Sequence, residues 1–261
     1  MRAPCAPLRP FVTQLWIGDS HAAPGFEREH MVATGAVHIA VRIAGPPVCI
    51  VGEGALGHAV VGGPRSQFYI RDVSAPSRTI GAQLVPGAAF AVLGVAAHEL
   101  AEQHVSLDAI WGRAAAELLV RLQAATSEEA LDIFEAALTE RVTGGRVDPT
   151  IAHAVRRLDA GASVACVVDE VGYSHRHFMA MFRERVGLAP KRYARVRRVL
   201  RAVEQARLGR SWSAIAAATG FSDQSHLARE FRELTGVTPE ELRRAGSGLH
   251  VPRRSDSFKT S

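Results

Sequence analysis

Two stretches of the chain place base-reading side chains at matching positions. Gly172-Tyr-Ser-His-Arg-His-Phe-Met-Ala-Met-Phe-Arg-Glu-Arg-Val-Gly-Leu-Ala-Pro190 is echoed by Gly220-Phe-Ser-Asp-Gln-Ser-His-Leu-Ala-Arg-Glu-Phe-Arg-Glu-Leu-Thr-Gly-Val-Thr-Pro239. The second copy carries one extra residue near its helix start. Helical spacing sets His175, Arg176, Met179, Ala180 and Arg183 opposite an inner face of Phe178, Met181 and Phe182. In the second copy Gln224, Ser225, Ala228, Arg229 and Arg232 lie opposite Leu227, Phe231 and Leu234. Gln and Arg offer paired hydrogen bonds to base edges in the major groove. Ser174 and Ser222 are placed as N-caps, and a capped helix start attracts phosphate. The expected base contacts are therefore His175, Arg176, Met179, Gln224, Ser225 and Arg229, with Ser174 and Ser222 at the backbone. A plain helical bundle would use the same glycines and serines. Two copies within a strongly basic segment favour DNA.

Other chemistry finds less support. His30, His38 and His58 match no metal-ligand spacing, and no CxxC pair occurs among Cys5, Cys49 and Cys166. Cys166 is expected in a helix core. Ser74 and Ser77 lie near Asp72, but without a Gly-x-Ser-x-Gly elbow. Gly52-Glu-Gly-Ala-Leu-Gly57 lacks the Lys-Ser/Thr ending of a phosphate loop. Trp16 and Trp111 read as packing residues before pocket walls. No metal, cofactor or catalytic group is expected.

The elements that must carry the two copies are helical. Short helices precede Gly172 and Gly220, where the chain turns with positive φ. Their apolar positions are Val164, Val167, Val168 and Val171 in one, and Trp212, Ile215 and Ala216 in the other. Between the copies, a helix from Pro190 to Leu208 has an inner stripe of Tyr193, Val196, Val199, Leu200 and Val203. About 18 residues span ~27 Å, enough for a rigid spacer. Its outer Arg192, Arg195 and Arg198 are expected on DNA phosphates. Ahead of residue 95 the signals are strand-like: Val37–Ile43, Val48–Val51, His58–Val61, Gln67–Ile70 and Thr79–Val85. Helices are expected over Ala88–Gly94, Ala97–Gln103 and Leu107–Gln123, and from an N-cap at Ser127.

These readings divide the chain. Residues 1–142 form a β-rich, barrel-like domain with trailing helices. Residues 143–148 are a linker, 149–245 an all-α domain of two helix-turn-helix units joined by a long helix, and 246–261 a disordered tail. The fold class is α+β, multidomain. Charge follows the same boundary: residues 1–140 hold 9 Arg against 14 acids, net −5, and residues 141–261 hold 22 basic against 12 acidic residues, net +10. Apolar residues make up 47% of the 261 and charged residues 22%, which excludes a disordered chain. The longest apolar window, Leu84 to Ala97, is broken by Pro86 and Gly94 and is too short for a membrane span. No signal peptide is read, and an odd count of three cysteines fits a reducing cytoplasm.

Over roughly Pro149 to Arg244 the chain closely resembles the DNA-binding domain of the AraC/XylS family of transcription regulators. The resemblance rests on Ile215-Ala216, Gly220 through Leu227, Phe231 and Gly236-Val-Thr-Pro239. It implies two recognition helices entering successive major grooves of double-stranded DNA, and a regulator, commonly an activator that contacts RNA polymerase. The first unit departs from the pattern. Val167-Val168 replaces a Leu-Ala pair, and Ala180 stands where the family often has Arg. Glu29 to His38, Gly62 to Arg65, Gly81 to Gly87 and His104 to Gly112 resemble an uncharacterised sensor-like domain found ahead of this module. That implies a small-molecule effector and allows a homodimer. The alternative is a bifunctional protein whose first half is a metal-dependent, cupin-like enzyme.

Overall fold

A run of β-branched and small residues builds the centre of the first domain. Ser77–Leu84 (β8) is buried along nearly its whole length, so both its faces must be covered. Val12–Ser20 (β1) and His38–Ala44 (β3) flank it. Ala59–Gly62 (β6) and His104–Ser106 (β9) complete an antiparallel sheet of order β1-β8-β3-β6-β9. Arg28–Met31 (β2), Cys49–Ile50 (β4), Gly54–Ala55 (β5), Tyr69–Asp72 (β7) and Leu249–His250 (β10) form a second sheet of order β10-β2-β7-β4-β5. Only β10 runs parallel to its neighbour. The computed structural model describes residues 1–20, 27–142, 146–245 and 249–250.

The expected strands appear with ends shifted by one or two residues. β1 and β2 were not anticipated. β1 mixes Gln14, Trp16, Gly18 and Asp19 with its apolar residues, so it does not alternate cleanly. Trp16 lies across Gly81, where an added Cβ would sit 2.2 Å from its ring. Strand order in the described residues gives two five-stranded sheets.

Helices cover one face of the first sheet. Ala89–Leu93 (α1), Leu107–Trp111 (α2), Arg113–Ala124 (α3) and Ser127–Arg141 (α4) share one core with Leu15, Ile39, Val41, Ile80 and Leu84. Three expectations need correction here. The helix read over Ala97–Gln103 is a 3-10 turn, Ala97–Leu100, followed by Glu102 at φ 61 and then β9. Leu107–Gln123 is two helices, because Gly112 breaks it at φ 59, ψ −138. The N-cap of α4 is Thr126, not Ser127. It forms a reciprocal capping box with Glu129, two orphan donors being satisfied at once.

The second domain is all helix: Pro149–Asp159 (α5), Val164–Val171 (α6), His175–Val186 (α7), Pro190–Arg207 (α8), Trp212–Thr219 (α9), Gln224–Thr235 (α10) and Pro239–Ala245 (α11). Asp148 caps α5 and Pro149 occupies its first turn. Two cores flank α8. One gathers Ile151, Leu158, Val167, Phe178, Phe182 and Tyr193. The other gathers Val196, Val203, Trp212, Ile215, Leu227 and Phe231, and takes in Val32 and Ala33 from the first domain. Residues 143–145 of the expected linker lie outside the described residues, as do 246–248 and 251–261 of the expected tail. Leu249–His250 pairs with His30–Met31 as a strand, which corrects the tail reading at those two residues. No helix among the described residues is long and apolar enough to cross a membrane.

Candidate nucleic-acid interface

Each unit is a helix, a glycine turn and a second helix with a capped start. Ser163 accepts from the Cys166 amide at 3.1 Å and starts α6. Gly172 ends it at φ 70, and an added Cβ there would meet nothing within 4 Å. Its role is therefore conformational. Ser174 accepts from the His177 amide at 3.3 Å and starts α7. In the second unit Ser211 starts α9 and Gly220 ends it at φ 80. The cap of α10 is Asp223, whose Oδ1 accepts from the His226 amide at 2.7 Å. This corrects Ser222, which instead donates to Asp223 Oδ2 at 3.1 Å. The extra residue of the second copy moves the cap by one position. A carboxylate also suits the positive end of a helix. The His226 amide and then Ser222 hold the Asp223 carboxyl below its ordinary range.

Both recognition faces are open. His175, Arg176 and Arg183 on α7 are exposed, as are Gln224, Ser225, Arg229 and Arg232 on α10. Met179 is half-buried and leans on the core of its own unit. Phe178, Phe182, Leu227 and Phe231 are fully buried behind these faces.

The arginines of α8 do not form a free basic stripe. Glu230 on α10 is only 6% exposed and is clamped by two of them. Arg195 Nε donates to its Oε1 at 2.7 Å, and Arg198 Nη2 to both oxygens at 2.7 Å. Arg198 also covers the Phe221 ring at 4.7 Å. On the other side, Asp159 at the end of α5 accepts from Tyr193 Oη at 2.9 Å and pairs with Arg197 Nε at 2.8 Å. Arg201 donates to the Asp159 carbonyl at 2.6 Å. Arg195 and Arg198, both expected on phosphate, brace the units through Glu230. Arg192 is exposed, but lines the cleft between the domains. Neither Asp159 nor Glu230 was singled out in the sequence. Their signal is an acid on the helix face that turns toward a basic spacer.

Cys166 was expected in the core and is exposed. Its helix turns Val167 and Val168 inward instead. It sits beside Glu170, whose carboxyl is held down to about 2 by hydrogen bonds from Arg157 and then His153.

The first domain holds a polar cluster between its sheets. The register aligns His38, Gly62 and His104 across β3, β6 and β9. Gly62 has no side chain to separate the imidazoles, whose centroids lie 6.1 Å apart. Tyr69 reaches in from the second sheet, 4.6 Å from His104. Burial pushes its hydroxyl up to about 12. Arg65 Nη2 contacts His104 Nδ1 at 2.9 Å and pairs with Glu53. Burial, then Arg65, depresses the His104 pKa against the pull of Glu53. Burial opposes ionisation of Glu53, but His104 and Arg65 together hold its pKa below the usual range. His104 Nε2 is buried without a partner. Among the described residues, no three His, Cys, Asp or Glu side chains converge as a metal-ligand set.

Comparison with known proteins agrees with this division. Residues 167–245 match a family described as a helix-turn-helix domain, and residues 1–106 match a domain of unknown function. The F1 operon positive regulatory protein of Yersinia pestis is 35% identical over 82 residues. That match covers 31% of this chain and 27% of the relative, so the chain spans about a quarter of that protein's length. A crystal structure of ToxT from Vibrio cholerae with unsaturated fatty acid bound superposes with a TM-score of 0.50 at 11% identity. It covers 97% of this chain and 100% of that one.

Proposed function

We propose that the C-terminal domain is a helix-turn-helix module of the AraC/XylS type, and that the chain is a sequence-specific DNA-binding transcription regulator controlled by a small-molecule effector. The observation that carries the reading is the pair of capped, exposed recognition helices held on one braced spacer. His175, Arg176 and Met179 read bases in one groove. Gln224, Ser225 and Arg229 read them in the next. Ser174 and the α10 start anchor phosphates. The exposed Arg183 and Arg232 join Arg195 and Arg198 as backbone contacts. The first domain binds the effector, in keeping with the ligand-bound ToxT structure. Activation through RNA polymerase and assembly as a homodimer extend the proposal. Support for both comes from family resemblance.

Selection of genomic fragments by the purified protein, at near-physiological salt with excess competitor DNA, tests this. The expected result is a motif with two half-elements about one helical turn apart. Arg229→Ala then weakens the selected site by about 1–3 kcal/mol and relaxes preference at one base pair. Binding that yields no motif and vanishes as salt rises would leave only charge attraction.

A further inference from the structure

The two domains enclose a cleft of about 350 Å³. Arg65, Ser66, Phe68 and Glu102 come to it from the first domain, and Arg192 and Glu233 from the second. Its size suits a small molecule, but its wall is charged where most ligand pockets are apolar.

The acids of this wall are already satisfied. Glu102 accepts from the Ser66 amide at 3.0 Å and from Ser66 Oγ at 2.5 Å. Glu233 accepts from Arg195 Nη2 at 2.8 Å. Of the cations on the wall, Arg195 is committed to Glu230 and Glu233, but Arg192 and Arg65 keep donors to spare. Arg192 has no hydrogen-bond or ion-pair partner among the described residues. Arg65 commits Nη2 to Glu53 and His104. A guanidinium carries five donors, so one engaged nitrogen leaves capacity to spare. The unspent capacity of the cleft is therefore donor and positive, and it comes from both domains.

We propose that this cleft binds a small polar anion bearing a carboxylate or phosphate, held between Arg65 of the first domain and Arg192 of the second. The charged wall excludes a long acyl chain. Arg192 sits on α8, the helix that carries both DNA-reading units. A bridging anion favours the docked arrangement of the domains over any other, which is what an effector must do to shift an equilibrium. Its identity as the effector rests on the regulator reading. Its binding does not.

Calorimetry on the full-length protein at low ionic strength, with succinate and inorganic phosphate titrated separately, tests the site. Saturable binding of either is expected, and the two arms tell carboxylate from phosphate. Arg192→Ala weakens it by about tenfold or more. Because Arg65 also holds Glu53 and His104, Gln67→Trp, on the cleft wall, serves as the second variant. It narrows the cleft and keeps both arginines, and binding is again lost. Failure of both anions to bind below about 10 mM overturns the proposal. So does binding that neither variant changes, or tight binding of oleate that both leave intact. Affinity for the selected DNA is measured alongside. Anion binding without DNA binding sinks the regulator reading and keeps the site, and DNA binding without anion binding does the reverse.

Discussion

Glu230 decides how the second recognition helix is held. It is a buried carboxylate between two guanidinium groups, and removing it leaves Arg198 without its ion pair and Arg195 with Glu233 alone. Glu230→Ala is expected to cost about 3 kcal/mol in urea unfolding, whereas Glu233→Ala, at an exposed position on the same helix, costs under about 1 kcal/mol. Equal losses would show that the clamp adds nothing beyond surface pairing. His104 gives a second test. Its folded pKa is depressed, so folding disfavours its protonated form. Stability is full above about pH 6.5, the unfolded value, and falls as pH drops through that point toward the folded value. Its surroundings are Arg65, Glu53, Tyr69 and His38. Thermal unfolding of His104→Gln should lose the decline that the parent shows as pH falls below about 6.5, and an unchanged profile would assign the decline elsewhere. Legibility at this scale was uneven. The outward groove residues were readable because helical spacing alone sorts them from Phe178, Phe182, Leu227 and Phe231. Asp159, Glu230 and the His104 cluster were not, because each depends on a partner 30 or more residues away.

Elements end where a residue must leave the helical region, and four glycines show what sets the cost. Gly172, Gly187, Gly220 and Gly236 close α6, α7, α9 and α10 with φ between 70 and 88. An added Cβ at Gly172 or Gly220 meets open space. Alanine there should cost only the left-handed penalty of about 1–2 kcal/mol. At Gly187 the Cβ would lie 2.2 Å from Pro64 Cγ, and at Gly236 it would lie 2.6 Å from the Phe68 ring. These substitutions add a steric clash, about 1–3 kcal/mol more. Denaturation of the four alanine variants should split them into two pairs by cost, and a uniform series would mean that the domains yield at the contact. The glycines themselves were visible in the sequence as a repeat. Their neighbours were not, because Pro64 and Phe68 belong to the other domain. The break at Gly112 was hidden because local composition there reads as one long helix, and β1 because its residues do not alternate cleanly.

The molecule as a whole sets its DNA-reading module against its first domain by the ends that DNA does not need. Gly187 at the end of α7 meets Pro64 and the Ala97 carbonyl, and Gly236 at the end of α10 meets His30 and Phe68. The N-terminal ends of both helices, where groove contact begins, remain exposed. The first domain can thus govern the mutual orientation of the two readers without covering them. It also completes the second reader. Val32 is 5% exposed and Ala33 3%, and both pack into the core formed by Val196, Trp212, Ile215 and Phe231. Among the described residues, the core of the first unit takes in no buried hydrophobic side chain of the first domain. Val32→Asp buries an unpaired charge at this junction, and a loss of about 2–4 kcal/mol follows. Hydrogen exchange should report it unevenly: amides of α9 and α10 lose protection, while α5 and α6 keep theirs. Equal loss across all four helices would mean that α8 couples the two units into one cooperative body. In that case the first domain would act on both readers together and not on the second through its core.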